Sequence, residues 1–250
     1  MQRILALGYA LVAYLVFFAT FLWLIAFLAD FAFFPTTVNN GFYNGRPLGH
    51  ALAVDIALIA IFGLQHSIMA RPGFKRRWMR IVPASAERST YVLAAAIALA
   101  VLLGGWHPID GVVWDLRGTA AEPILWALFA AGWAVLLLST FLINHFELFG
   151  LQQAWLHGRP RDNAPPKLRE PLFYRYVRHP LYLGFTIGFW ATPYMTVSHL
   201  VFVIGMQIYI LIGIAHEERD LVAYFGPDYE NYRTRVGMLI PGIGRRKPAA

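Results

Sequence analysis

The chain has 250 residues, 58% of them hydrophobic, and only 14% charged. With a mean hydropathy of +0.51 it is too apolar for an ordinary soluble domain. There are no cysteines, which excludes disulfides, thiolate metal sites and a cysteine nucleophile. The formal net charge of +7 would suggest nucleic acid in a soluble protein, but its placement along the chain gives it another meaning.

Ile4 to Ala29 (ILALGYALVAYLVFFATFLWLIAFLA) runs 26 residues without a charge. A span needs about 20 apolar residues to cross the hydrocarbon core. The stretch is also too long for a signal-peptide core, and no small-residue cleavage site ends it. Further spans are expected over Ala51–Ala70, Thr90–Gly105 and Pro123–Ile143, followed by a block from Leu181 to Ala215. That block is 35 residues, too long for one span, and TPYMTVSH (Thr192–His199) breaks it into a tight hairpin. The expected fold is an all-α integral membrane protein with five or six transmembrane helices.

Lys and Arg cluster in the loop Arg71–Arg88, in the segment Gly150–Pro180, after Ala215 and at Arg3; only Arg46 and Arg117 fall in the alternate loops. Six spans would put all the rich segments in the cytoplasm, as the positive-inside rule asks. The basicity is therefore topological. The expected location is an inner (plasma) membrane with both termini cytoplasmic, and the expected partners are membrane lipids rather than nucleic acid. Arg71–Arg80 reads first as a belt for lipid headgroups.

Polar residues within spans are costly, so their depth is informative. LQHS (Leu64–Ser67), NHFELFG (Asn144–Gly150), RHPLY (Arg178–Tyr182) and AHEERD (Ala215–Asp220) all fall at cytoplasmic span ends. Asp55 lies inside the second span near its outer end, where a hydrogen-bonded structural role is expected. In YVRHPLYLGF (Tyr176–Phe185), Pro180 suits the first helical position and bends the chain at His179 into a sharp entry. The helix start offers backbone N–H groups and a partial positive charge to an anion, and Arg178 adds a full charge. Tyr182 adds an aromatic face for a cation, and Gly184 permits close backbone approach. An anion beside a cation is the pattern of an amino-acid moiety joined to a sulfonium. In HEERDLVAYFGPDYENYR (His216–Arg233), Glu217 and Glu218 carry carboxylates that pair with a ligand ammonium or with Arg178. The helix is expected to stop at Gly226-Pro227. A short amphipathic helix follows, with Tyr229, Tyr232 and Val236 on one face.

RHPLYLG followed about 30 residues later by EERDLVAYFGPDYENYR resembles the C-terminal half of the isoprenylcysteine carboxyl methyltransferase-like membrane enzymes, over roughly 174–241. LQHSIMARPGFKRRW (Leu64–Trp78), INHFELFGLQQ (Ile143–Gln153) and HPLYLGFTIGFWATPYMTVSHLVF (His179–Phe202) make the chain similar, over nearly its whole length, to the bacterial methanethiol S-methyltransferases, and HS near the second span's end resembles NnrU-type membrane proteins. The resemblance implies a single membrane domain, 1–250, with a cofactor pocket on its cytoplasmic side. Within it, the four-span stretch 1–149 would supply the substrate side and the stretch 150–250 would bind S-adenosylmethionine. It implies methyl transfer to the thiol of methanethiol, giving dimethyl sulfide and S-adenosylhomocysteine. Cofactor contacts are then expected from Tyr176, Val177, Arg178, His179, Pro180, Tyr182, Gly184, Glu217 and Glu218.

A thiol attacks as thiolate, so a base is needed. His66 and His145 are the candidates, since imidazole titrates near neutrality, and Glu147, two residues from His145, could instead orient a partner or a base. Arg71 or Arg77 could cap the thiolate's charge. No metal is implied. The alternatives are a methyltransferase acting on a larger thiol, a lipid amine or a prenylcysteine carboxylate, and a non-enzymatic membrane carrier. The bunching of polar residues at one leaflet counts against the carrier.

Overall fold

The computed structural model describes residues 2–156 and 168–246. Arg159, Arg161, Lys167 and Lys247, four of the basic residues assigned to the polar side, lie outside the described residues. In chain order the helices are α1 (Gln2–Leu28), α2 (Leu48–Ala70), α3 (Pro72–Trp78) and α4 (Ala84–Gly104), then α5 (Ala121–Ile143), α6 (His145–Leu148) and α7 (Leu151–Trp155). After a 3-10 turn at Leu172–Arg175 come α8 (Pro180–Trp190), α9 (Val197–Phe225) and α10 (Pro227–Arg235). Strand β1 (Val112–Asp115) follows α4 and pairs antiparallel with β2 (Tyr194–Thr196), which precedes α9, in the register Val112 to Thr196 and Asp115 to Tyr194.

Helices α1, α2, α4, α5 and α9 are long and apolar enough to cross a membrane, and the protein is an all-α integral membrane protein. Much of this length presents apolar side chains outward: Leu11, Leu15 and Phe18 on α1, and Leu137, Leu138 and Phe141 on α5, are exposed. That is the surface a lipid solvent requires, because a bilayer satisfies no backbone polar group and only closed helical hydrogen bonding survives in it.

The block Leu181–Ala215 does divide, but unequally. The 11 residues of α8 rise about 16 Å at 1.5 Å per residue, half of a hydrocarbon core of about 30 Å. The 29 residues of α9 rise about 43 Å, which is longer than the core. The physical cause of the early break is the segment Ala191–Thr196: it holds Pro193, which cannot continue a helix, and its backbone is taken up by the β2 ladder and by the Leu116 N–H donating to the Pro193 carbonyl at 2.8 Å. Among the described residues, five helices are long and apolar enough to span, and α8 is a half-length helix beside them.

The chain forms two compact units interleaved in sequence. The first takes in the chain up to Asp115, the stretch beginning at His145, and Tyr194–Met206. In it α1 and α2 pack on α4, and α1 and α4 pack on α7. Its aromatic core is Tyr91, Val92 and Phe149, packed against Tyr14, Phe17, Met69 and Leu148. At its other end Trp106 is fully buried and donates its indole N–H to Ser198 Oγ at 2.9 Å, while Ser198 donates to the Val38 carbonyl. Asp55 is buried here too, its Oδ1 accepting from the His107 backbone N–H at 2.9 Å; it has the structural bond expected of it.

The second unit takes in Leu116–Asn144, the stretch up to Pro193, and the chain from Gln207 onward. Its tightest seam is α5 against α8. A Cβ on Gly184 would lie 2.7 Å from the Gly132 carbonyl oxygen and from the Leu136 nitrogen, so only glycine lets the two backbones meet this closely. Pro227 occupies the first turn of α10, after Gly226 ends α9 with φ +56°. Tyr229 and Tyr232 of this last helix, with Val236 just past its end, bury themselves against Leu221, Val222 and Phe225 of α9.

Candidate functional site

In the first unit, α1, α2, α4 and α6 bring two of the candidate bases to one aromatic cluster. His145 opens α6, just after a break at Asn144 (φ 177°, ψ 92°), and is 6% exposed. Its Nε2 lies 2.9 Å from Tyr14 Oη, and its ring meets Phe149 edge-on at 4.8 Å between centroids. Burial lowers the His145 pKa below the ordinary imidazole value, so the ring is neutral at neutral pH, the form a general base requires. His66, on α2, repeats the arrangement: its Nε2 lies 2.7 Å from Tyr91 Oη. Tyr91 and Phe149 belong to the same core cluster, and Tyr14 packs on it, so each histidine reaches that cluster through a tyrosine.

What holds α6 in place is equally specific. Arg88, on α4, donates from Nε to the Leu148 carbonyl at 2.7 Å and lays its guanidinium 5.0 Å from the centre of the Tyr91 ring. Gly150 has φ +86°, and a Cβ there would lie 2.7 Å from the Ser89 nitrogen. Glycine supplies both the left-handed turn and the close approach. Glu147 is exposed, and its backbone carbonyl accepts from Gln153 Nε2 at 3.2 Å. His145 and Glu147 thus differ sharply in burial. Arg71 and Arg77 flank and end α3, a short basic helix in which Phe74 and Trp78 stack at 5.6 Å.

In the second unit, the start of α8 meets the end of α9. Pro180 is the first residue of α8, and His179 caps it at φ −125°, ψ 63°. Arg178 is 4% exposed. Its Nε and Nη2 both reach Glu218 Oε1, at 2.7 and 2.6 Å. Its Nη1 donates to the Val236 carbonyl at 2.5 Å and, more weakly, to that of Arg233 at 3.4 Å, and Nη2 donates to the Gly244 carbonyl at 3.2 Å. The backbone joins in: the Arg178 N–H donates to Gly237 O at 2.8 Å and the His179 N–H to Met238 O at 3.2 Å. His179 Nε2 lies 3.3 Å from Glu218 Oε1, and its Nδ1 is 3.9 Å from Glu217 Oε2.

Of the two pairings foreseen for the carboxylates, the Arg178 pairing is the one Glu218 makes. The guanidinium is spent on the protein's own groups, so Arg178 builds the site from within rather than presenting a free cation. Val177, His179, Pro180 and Glu218 are likewise buried, whereas Tyr176 and Glu217 are exposed and Tyr182 is half-buried, its ring 5.7 Å from that of His179. Gly184 gives the close approach expected of it, but the backbone that approaches is α5's. Burial, with Glu218 and Glu170 respectively adding to it, pushes the phenols of Tyr229 and Tyr232 above the ordinary tyrosine range, and Tyr232 donates to the Tyr174 carbonyl at 2.6 Å.

Sequence reasoning did not find Tyr14 and Tyr91. Tyr14 is one of several aromatics in an uncharged span, and nothing in the pattern singles it out. It also missed the strap of bends and turns at 236–244, which bridges to Val177 at Gly237; the signal was there, since GMLIPGIG (Gly237–Gly244) spaces three glycines where backbone must pass close to Arg178. Among the described residues no group of three or more His, Asp or Glu is placed to hold a metal ion.

The protein is thus an α-helical membrane protein with His145 buried and His66 half-buried beside aromatic rings in one unit, and an Arg-His-Pro helix start bonded to Glu218 in the other. The sequence model described as NnrU protein matches residues 55–240, and the chain belongs to that family. It is 48% identical to a Methanethiol S-methyltransferase of Mycobacterium tuberculosis, over 96% of this chain and 98% of that protein. It is 45% identical to a Methanethiol S-methyltransferase of Crocosphaera subtropica, over 98% and 95%. A Nurim homolog of Drosophila pseudoobscura is more distant, at 28% identity over 69% of this chain and 70% of that one. No solved structure matches the chain.

Proposed function

We propose that this protein transfers the methyl group of S-adenosylmethionine to the sulfur of methanethiol, releasing dimethyl sulfide and S-adenosylhomocysteine. The observation that carries the reading is the identity of nearly half the residues, over nearly the full length of both chains, with proteins named for that reaction. The chemistry is a displacement in which the thiolate sulfur attacks the sulfonium methyl carbon. The protein's task is then to orient the donor, exclude water and take up the thiol's proton.

We assign the substrate side to 1–149 and the cofactor side to 150–250. Tyr176, Tyr182 and Glu217 have surface to offer the donor; Glu217 suits its ammonium and Tyr182 its sulfonium. Val177, Arg178, His179, Pro180, Gly184 and Glu218 form the buried frame that holds those three in place. On the substrate side the neutral His145, with His66, accepts the proton, and the exposed Glu147 acts on its surroundings. A small apolar thiol partitions into lipid, which gives a membrane enzyme ready access to it. Such a substrate leaves selection to pocket size and weak apolar contact. The distribution of basic residues favours an inner membrane with both termini cytoplasmic.

The test is to feed methanethiol to cells expressing the protein and to purified protein with labelled S-adenosylmethionine, and to measure dimethyl sulfide in the headspace. Product above that of a vector control, dependent on the donor, is expected. Donor binding without product would point to a larger thiol or a lipid acceptor, and no donor binding would remove the reading.

A further inference from the structure

Tyr14 stands in the middle of α1, in an uncharged span where a phenol O–H must find a protein acceptor. Among the described residues its hydroxyl has one hydrogen-bond partner, His145 Nε2 at 2.9 Å. A phenol donates as well as accepts, whereas a neutral imidazole donates from one nitrogen and accepts at the other. For the phenol O–H to have an acceptor at all it must donate to Nε2, which requires the imidazole proton to sit on Nδ1. The basic nitrogen of His145 is therefore covered by a hydroxyl, and a substrate proton reaches it through that hydroxyl.

Resting on the methyl-transfer reading above, we propose that Tyr14 is a catalytic residue that relays the thiol's proton to His145. The step balances: the thiol S–H bond breaks and its proton forms a new O–H bond on Tyr14 Oη. The proton Tyr14 already carried moves to Nε2, and the products are a thiolate and an imidazolium. The thiolate then takes the methyl group. The proton ends on an imidazole, a weaker base than a thiolate (ordinary values about 6.5 and about 8.5), so the hand-over runs uphill by about a hundredfold or more, and methyl transfer, which consumes the thiolate, draws it forward. The surroundings hold the pair in register. Tyr14's ring lies 5.7 Å from that of His145 and 5.8 Å from that of Phe149, both edge-on, and Phe149 is itself stacked at 4.3 Å on Phe17 of α1.

The experiment compares the wild type, Tyr14→Phe, His145→Ala and the double variant, with Tyr9→Phe as control. Tyr9 lies on the same helix and donates to Thr90 Oγ1 at 2.9 Å, so its loss removes a phenol bond without touching His145. Tyr14→Phe keeps the ring and its packing. It is expected to lower kcat roughly a hundredfold, the lower end of general acid–base effects, with unchanged donor affinity. The double variant is expected to be no slower than His145→Ala alone, because two members of one relay are not additive. Retention of kcat within about threefold, or losses that multiply, would overturn the relay. Nitrogen-15 histidine spectra of the purified protein test the hydrogen bond without any substrate. The His145 signal, identified by its absence in His145→Ala, should report the Nδ1–H tautomer and move in Tyr14→Phe but not in Tyr9→Phe; an Nε2–H tautomer would overturn the proposal. A wild type that makes no dimethyl sulfide yet shows the Nδ1–H tautomer would sink the methyl-transfer reading, and the relay with it, while leaving the hydrogen bond standing.

Discussion

His145 in the first unit and Arg178 in the second are buried to almost the same degree, 6% and 4% exposed, yet each unit tolerates its polar group by a different physical route. The first unit keeps His145 neutral among aromatic rings and gives it a phenol partner. The second keeps Arg178 charged and surrounds it with a carboxylate and backbone carbonyls. Charge neutralised by a proton's absence leaves a group that can still accept a proton, and so can do chemistry. Charge neutralised by directed bonds on every side leaves a group that can only hold things in place. The difference teaches that a functional-looking cation at a helix start can be a frame element, while the buried neutral group is the one left able to take up a proton.

The largest expected effect tests the frame. Removing one partner of a buried ion pair costs about 3–5 kcal/mol, so Glu218→Gln and Arg178→Ala should both lower the thermal midpoint sharply in detergent or nanodiscs. Donor binding should be lost along with the folded structure of α8 and α10. An Arg178→Ala protein that keeps its midpoint and loses only donor binding would show that the guanidinium contacts ligand, and would erase the contrast. Next in size is His145→Ala, for which turnover should fall by about 10²-fold or more, the range of a lost general base, while S-adenosylmethionine affinity measured by calorimetry stays put. If His145→Ala and His66→Ala both keep full rate, the reactive half of the comparison is wrong.

Gly184→Ala is expected to cost roughly 1–3 kcal/mol, as overpacking does, because its Cβ would meet α5 backbone at 2.7 Å. The check is the unfolding midpoint, with the α5–α8 seam followed by hydrogen exchange.

The smallest effects separate the units by pH. His145's pKa is lowered by burial, so the unfolded chain binds a proton that the folded one resists. Stability from this group is intact above the unfolded value of about 6.5 and falls as pH drops from there through the lowered folded pKa. Tyr229 and Tyr232 are shifted upward, chiefly by burial. Their contribution is intact below about 10 and falls as pH rises past it toward the folded values. Residue-resolved hydrogen exchange should therefore show the aromatic core of the first unit loosening first on the acid side and the α9–α10 contact on the alkaline side. The reverse order would contradict the assignment of neutral histidine to one and buried phenols to the other.

Span positions were legible because lipid imposes one rule everywhere: about twenty apolar residues without charge. Thus α1, α2, α4 and α5 lie where the hydropathy puts them, and Gly226-Pro227 ends α9 for reasons of local backbone chemistry. The stop of α8 was legible in TPYMTVSH; what was not legible is that this segment pairs with β1, a strand some 80 residues earlier in the chain. Motif residues could be named in advance, but not their duties. Arg178 and Glu218 are 40 residues apart in sequence, and only folding reveals that they satisfy one another.

What the amino-acid sequence determined by itself is everything governed by solvent and by neighbours along the chain: a membrane protein, its spans, the helix start at Pro180, the histidines at span ends. Tertiary structure alone decided which buried polar groups find partners and of what kind. Tyr14 meets His145 across 131 positions, and the carbonyls of Arg233, Val236 and Gly244 turn back to Arg178. The physical reason is that a hydrogen bond or ion pair needs its atoms within about 3 Å, a distance set by packing rather than by composition.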